Sequence, residues 1–347
     1  MIYLTTGNTV ITLLRKSSQE WHASQYHLPD VVTAICSDPL IPGTAFCAVK
    51  GSGFWITSDG GRSWQWIGNL TSVYSGEKPI RYISALAVSP LEREVIYAGT
   101  DPSAMFKSEN FGRSWVELTS FRDLPSAPTW SFPPEPSTSH IKWIEPDPIV
   151  YGRVFVAVEA GALVRTIDGG HTWEDRLPDS PYDSHTLATH PLAPHKLYSA
   201  AGDGVSNPGR GYNESMDAGL TWQRPNEGLE HHYLWGLAVD SGNPDIVVVS
   251  GASTPWKAHN IGVAESFIYR REKDSPWQKV TQGLPPITGT IVWRLVADVS
   301  RAGTFYALSN KGLYMSEDTG LSWRQIHLPS SIKPTEPLGI AVGPDEK

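Results

Sequence analysis

Five carboxylates, Asp101, Glu145, Glu159, Asp183 and Asp203, lie close to the starts of short apolar runs or in the segments joining them. Hydrolysis of a glycosidic bond needs two carboxyl groups facing that bond, roughly 5 to 9.5 Å apart. If the chain is catalytic, these five are the candidates for such a pair. A second set is aromatic and basic: Lys142, Trp143, His185, Tyr233, Trp235, Trp256, His259, Trp293 and Arg294. Aromatic faces stack on flat or sugar-like surfaces, and a few charged groups orient the bound molecule. His140, Tyr182, His231 and His232 flank the same run starts. Packing between neighbouring elements is the competing explanation for Trp143, Trp235 and Trp293. Their clustering in one stretch of the chain favours binding.

Other reactive residues carry less. The segment His185 to His190 lacks the glutamate of a metalloprotease HExxH helix and reads as a strand. Cys36 and Cys47 fall on adjacent strands and read as buried free thiols. Asp-Gly turns recur, yet none stacks enough carboxylates for a calcium cage. No metal and no cofactor is expected.

The elements that position these residues are repeats. Five segments share the form [ST]-x-[DN]-x-G-x-[ST]-W: Thr57–Trp64, Ser108–Trp115, Thr166–Trp173, Ser215–Trp222 and Ser316–Trp323. Two worn copies end at Trp21, after Ser17-Ser18-Gln19-Glu20, and at Trp277, after Lys273-Asp274-Ser275-Pro276. The seven terminal tryptophans are spaced by 43 to 58 residues, and the two chain ends together supply one more period. Within each turn, Asp or Asn can hydrogen-bond its own backbone and Gly can supply a positive φ. A second recurring segment precedes each box, as in Ile83 to Pro90 and Leu234 to Asp240, followed by a short apolar run such as Val95 to Gly99. Each period therefore holds four short strands.

That pattern predicts an all-β, seven-bladed β-propeller of four-stranded antiparallel blades, forming a single domain over 1–347. Its blades are expected at 31–68, 81–118, 140–176, 184–224, 232–280 and 290–326. The seventh combines 337–345 with 1–25, which pairs the C-terminal strand with the N-terminal strands. Closure of this kind removes exposed strand edges. Aligning the first strands gives one column at the strand starts: Thr33, Ser84, Lys142, His185, Trp235, Trp293 and Leu338. The next column reads Ala34, Ala85, Trp143, Thr186, Gly236, Arg294 and Gly339. Large groups gather on blades three to six, as do the longer connections, 202–213, 251–265 and the Pro-rich 121–139. Loops on a repeated scaffold carry function, so the working face is expected there.

The eight-residue form resembles the Asp-box (BNR) repeat of the sialidase and glycosyl-hydrolase-like superfamily. The resemblance spans nearly the whole chain, and the nearest relatives in character are uncharacterised single-propeller proteins. It implies that the boxes join third and fourth strands, on the side away from the binding face. Sialidases of this superfamily carry an arginine triad, a Tyr/Glu pair and an Arg-Ile-Pro segment before the first box. Here the nearest string is Ile80-Arg81-Tyr82, so sialidase activity is not expected. Tyr97 to Asp101 resembles the segment bearing a catalytic aspartate in xyloglucan-active Asp-box hydrolases, which pair two propellers around a cleft. Similar repeats also occur in sortilin-type receptors and a photosystem II assembly factor, which bind without catalysis.

Composition narrows the rest. The 347 residues carry a net charge of -8, 2 cysteines, 14 tryptophans and 40% hydrophobic residues. Two cysteines exclude a disulfide scaffold. An acidic chain is a poor general nucleic-acid binder, and no apolar run is long enough to span a membrane. Without a signal-peptide layout at the N-terminus, a cytoplasmic location is expected. The expected partner is a small molecule, a carbohydrate or a protein, with no nucleic acid and no membrane. A binding propeller is the first reading and a glycoside hydrolase-like enzyme the alternative.

Overall fold

The computed structural model describes residues 1–17, 20–70, 73–330, 332, 334 and 338–345. Ser18 and Gln19 of one worn repeat, and Pro337 at the expected start of the last blade segment, lie outside the described residues. The fold is a β-propeller of seven antiparallel sheets. The chain divides into two compact units, Met1–Pro178 with Ala341–Lys347, and Asp179–Ile340.

In the first unit, blade one comprises Val32–Ser37, Ala45–Val49, Gly53–Thr57 and Gln65–Gly68. Blade two comprises Tyr82–Val88, Ile96–Asp101, Met105–Ser108 and Val116–Glu117. Blade three has three strands, Ile141–Pro146, Val154–Val158 and Ala162–Thr166. The N-terminal strands Ile2–Thr6, Thr9–Arg15 and Trp21–His27 share a sheet with the C-terminal strand Leu338–Val342.

The second unit holds blades four, five and six. Blade four is built from Ser184–Thr189, Leu197–Ala201 and Tyr212–Ser215. Blade five runs Tyr233–Asp240, Asn243–Ala252, Phe267–Glu272 and Gln278–Val280. Blade six runs Arg294–Ala297, Phe305–Ser309, Gly312–Ser316 and Arg324–Ile326.

The burial pattern explains the strand sequences. Second strands such as Ala45–Val49, Val154–Val158 and Phe305–Ser309 are buried at every residue. A strand covered on both faces reads as a continuous apolar run. Fourth strands are less covered: Gln65–Gly68 has no buried residue. In blades three and four the fourth strand shrinks to one bridge, Arg165↔Glu174 and Glu214↔Gln223. Pro178 and Pro225 follow within a few residues, and proline cannot donate to a ladder.

The five repeat turns share one hydrogen-bond set. In the first, Gly61 N–H donates to Thr57 Oγ1 at 2.9 Å, Ser63 N–H to Asp59 Oδ1 at 3.0 Å, and Ser63 Oγ to Asp59 Oδ2 at 2.6 Å. The set recurs around Asp168, Asp217 and Asp318, and around Asn110 with the last bond reversed, the amide Nδ2 donating to Ser114 Oγ at 2.7 Å. Two successive residues take positive φ in every copy, as in Phe111-Gly112 and Ala218-Gly219. The second is glycine because its α-carbon abuts a neighbouring strand or turn: a Cβ on Gly170 would collide with Leu118, and one on Gly61 with Thr12.

Cys36 and Cys47 pair with Phe46 and Ile35 respectively, so their side chains point to opposite faces of blade one. Burial pushes both thiols well above their ordinary range. Among the described residues, no helix is long and apolar enough to cross a membrane.

Candidate functional site

The first column aligned in the sequence coincides with a backbone irregularity. In blades one to four the ladder between first and second strands skips one residue, Thr33, Ser84, Lys142 or His185. In blade five it skips Trp235 and Gly236. Extra residues of this kind are β-bulges, which bend a strand and re-aim a side chain. In blades one and two the residue is small, and its hydroxyl bonds back to the second strand: Thr33 to the Ala48 carbonyl and Ser84 to the Gly99 carbonyl. In blades three to five the same position holds Lys, His or Trp.

In the first unit, the starts of blades two and three carry a charged network. Lys142 Nζ lies 2.8 Å from Glu159 Oε2, and His140 Nε2 lies 2.5 Å from the same oxygen. Trp143 donates its indole N–H to Glu145 at 3.0 Å, which commits that carboxylate locally. Asp101 is buried; it accepts from Thr138 Oγ1 at 2.8 Å and pairs with Arg81 at 3.5 Å. Arg81 also pairs with Glu135. Burial, and then the charge and hydrogen bond of Asp101, push the Tyr82 phenol up to about 12. Every one of these carboxylates has a donor or cation beside it.

In the second unit, the starts of blades four and five carry an aromatic cluster. His185 is buried, and its Nδ1 lies 2.6 Å from the Leu234 carbonyl. A carbonyl only accepts, so Nδ1 carries the proton and Nε2 faces Asp183, 3.6 Å away. The His185 ring lies 4.4 Å from Trp235 and 5.1 Å from Tyr233, centroid to centroid. His259 closes the group, edge-on to Trp235 at 4.4 Å and hydrogen-bonded to the Tyr233 hydroxyl at 3.0 Å. Arg294 lies 5.9 Å from the Trp235 ring and donates its Nε to the Leu338 carbonyl.

Asp203 accepts main-chain N–H groups from Tyr182 and Asp183, at 3.1 and 3.0 Å. Gly202 donates in return to the Asp183 carbonyl at 2.9 Å. A side chain at Gly202 would strike the Asp183 carboxylate. Burial, reinforced by the Asp183 charge, raises the Asp203 carboxyl above the ordinary carboxylate range despite those two donors.

The structure thus brings together His185, Tyr233, Trp235, His259 and Arg294, with Asp183 and Asp203 beside them. Lys142 and Trp143 belong to the other unit's charged network, with Glu145, Glu159 and Asp101. Trp293 is only 2% exposed; it packs edge-on to Tyr314 at 5.4 Å within blade six. Its carbonyl accepts from Ser250, which itself accepts from Gly236 N–H, tying blade six to the blade-five bulge. Trp256 is 66% exposed, on the short helix Pro255–His259. Column reading missed Tyr82 and undervalued His140. Both stand two residues before the bulge, as do Asp183 and Tyr233. Period-two alternation would have found that column.

No known protein-family profile matches the chain. Among curated proteins it is 23% identical over 280 residues to the xyloglucanase Xgh74A of Acetivibrio thermocellus, covering 65% of this chain and 30% of that protein. It is 26% identical over 261 residues to a xyloglucanase of a Paenibacillus species, covering 65% and 24%. The match spans less than a third of the length of these relatives. Among solved structures, an ancestral GH74 enzyme superposes with a TM-score of 0.62 at 19% identity, covering 85% of this chain and 38% of that one. YCF48 bound to D1 peptide superposes with a TM-score of 0.55 at 16% identity, covering 92% and 85%. These likenesses concern the fold.

Proposed function

We propose that the chain is a carbohydrate-binding propeller whose ligand meets the aromatic cluster at the starts of blades four and five. The observation that carries this reading is the grouping of His185, Tyr233, Trp235 and His259 within hydrogen-bonding or ring-contact distance, with His185 and Trp235 at backbone bulges that re-aim side chains. Aromatic faces edged by imidazole and hydroxyl groups suit a sugar, which offers both C–H faces and hydroxyls. The curated relatives named as xyloglucanases support a glycan as ligand class. Binding is favoured over cleavage because Asp101, Glu145 and Glu159 are each engaged by a neighbouring donor or cation. We also read the five repeat turns as Asp boxes and residues 1–347 as one propeller domain; the shared hydrogen bonds around Asp59, Asn110, Asp168, Asp217 and Asp318 support the first of these.

The test is titration of the protein with xyloglucan and cello-oligosaccharides by calorimetry. His185→Ala combined with Trp235→Ala is expected to abolish binding, and unchanged affinity would sink the site.

One observation favours hydrolysis as the second reading: Asp183 and Asp203 adjoin, and the latter carboxyl is raised, as a general acid requires. Release of reducing ends from xyloglucan, lost in both Asp183→Asn and Asp203→Asn, would establish it. Binding without any product excludes it.

A further inference from the structure

We infer that the ligand is an oligosaccharide spanning at least two sugar positions, the second of them stacked on Trp256. This rests on the glycan reading above and adds to it the length of the ligand. Trp256 is the most exposed of the tryptophans in the second unit, at 66%. It stands three residues before His259 on one helix, so the two side chains project to neighbouring positions. His259 touches Trp235 and Tyr233, so the helix that carries the exposed ring also reaches the cluster.

The platform is firmly mounted. Thr254 caps the helix by accepting from Lys257 N–H, and Ala258 is fully buried against Tyr233 and Val292. Val292 N–H donates to the Ala258 carbonyl at 2.9 Å, and Glu265 N–H to the Lys257 carbonyl at 2.9 Å. An indole on a fixed backbone has only two side-chain torsions to order, so stacking a ring on it costs little entropy. The same helix carries Lys257, which pairs with Glu265 at 3.1 Å, so charged groups that can meet sugar hydroxyls share the segment with Trp256. An exposed aromatic plane offers the C–H face of a pyranose a surface to stack on, leaving the sugar hydroxyls for polar partners.

The experiment is a calorimetric length ladder with glucose, cello-oligosaccharides of two to six units and a xyloglucan oligosaccharide, on wild type, Trp256→Ala, Trp256→Phe and Trp235→Ala. Wild-type affinity is expected to rise with length. Trp256→Ala should cost about tenfold for the longer ligands, leave the shortest bound ligand unchanged, and be largely rescued by Phe. An exposed ring contributes little to folding, so the wild-type melting temperature should be kept. If Trp256→Ala preserves the length dependence while Trp235→Ala removes binding, the second position is refuted and the glycan site stands. If the wild type binds no member of the ladder, the glycan reading falls and this inference with it.

Discussion

The turn between third and fourth strands and the bulge that opens the first strand both recur along the chain, but they recur differently. At the turn, side chains and backbone repeat together: five copies place the same oxygens on the same N–H groups. At the bulge only the backbone repeats, while the residue changes from Thr33 and Ser84 to Lys142, His185 and Trp235. Side chains that build a blade are held constant by the geometry they must satisfy. A repeated backbone feature with varied side chains presents different chemistry at equivalent positions, as a binding surface on a repeat scaffold requires.

The largest effect expected at the turn end comes from Gly170→Ala. Its φ of +97° and the collision with Leu118 act together, so a loss of at least about 3 kcal/mol is expected in urea unfolding. Wild-type stability in this variant would break the claim that the turn is dictated by sterics. Next comes Asp217→Ala, which removes the acceptor of Thr221 N–H and of the Thr221 and Ser215 hydroxyls. About 1–2 kcal/mol is expected, with saccharide affinity unchanged. A fall in affinity instead would mean that the two ends of a blade are coupled.

The contrast also explains what could be read from the sequence. Seven tryptophans and the Asp or Asn and Gly of each turn follow from local rules that act within eight residues, whereas four strands in every blade did not hold, because blades three and four keep only a bridge in place of the fourth. The bulge column was visible as an alignment, because it recurs at a fixed distance from the strand end. What each member does was not visible. Trp293 and Trp235 share that column, yet the first is packed beneath Tyr314 and the second meets two histidines. Blade six begins its ladder at Arg294, with no skipped residue, so Trp293 precedes the paired strand whereas Trp235 sits in a bulge within one. Partners such as Thr138 for Asp101, or Leu234 for His185, come from chain segments 37 and 49 residues away. No local pattern encodes them.

The subtlest expected difference is one of sign, between two aspartates of the second unit. Burial opposes ionisation at Asp217, but hydrogen bonds from Thr221 and Ser215 outweigh it and hold the carboxyl at about 2. A lowered folded value contributes stability above the unfolded value of about 3.9, lost as pH falls toward 2. Asp217→Asn should therefore be weaker than wild type at pH 7, with the gap closing in acid. At Asp203 burial and the Asp183 charge prevail, and the carboxyl is raised. Its contribution is fully present below about 3.9 and is lost as pH rises through the folded value. Asp203→Asn, which cannot ionise, should then gain on wild type between pH 4 and pH 7, by less than about 1 kcal/mol. Urea midpoints of both variants at the two pH values measure the opposite slopes. If Asp203→Asn loses ground as pH rises, the N–H groups of Tyr182 and Asp183 hold an anion there. Asp203 would then belong with the turn aspartates as a structural acceptor, and the acid required for hydrolysis would be absent from this pair.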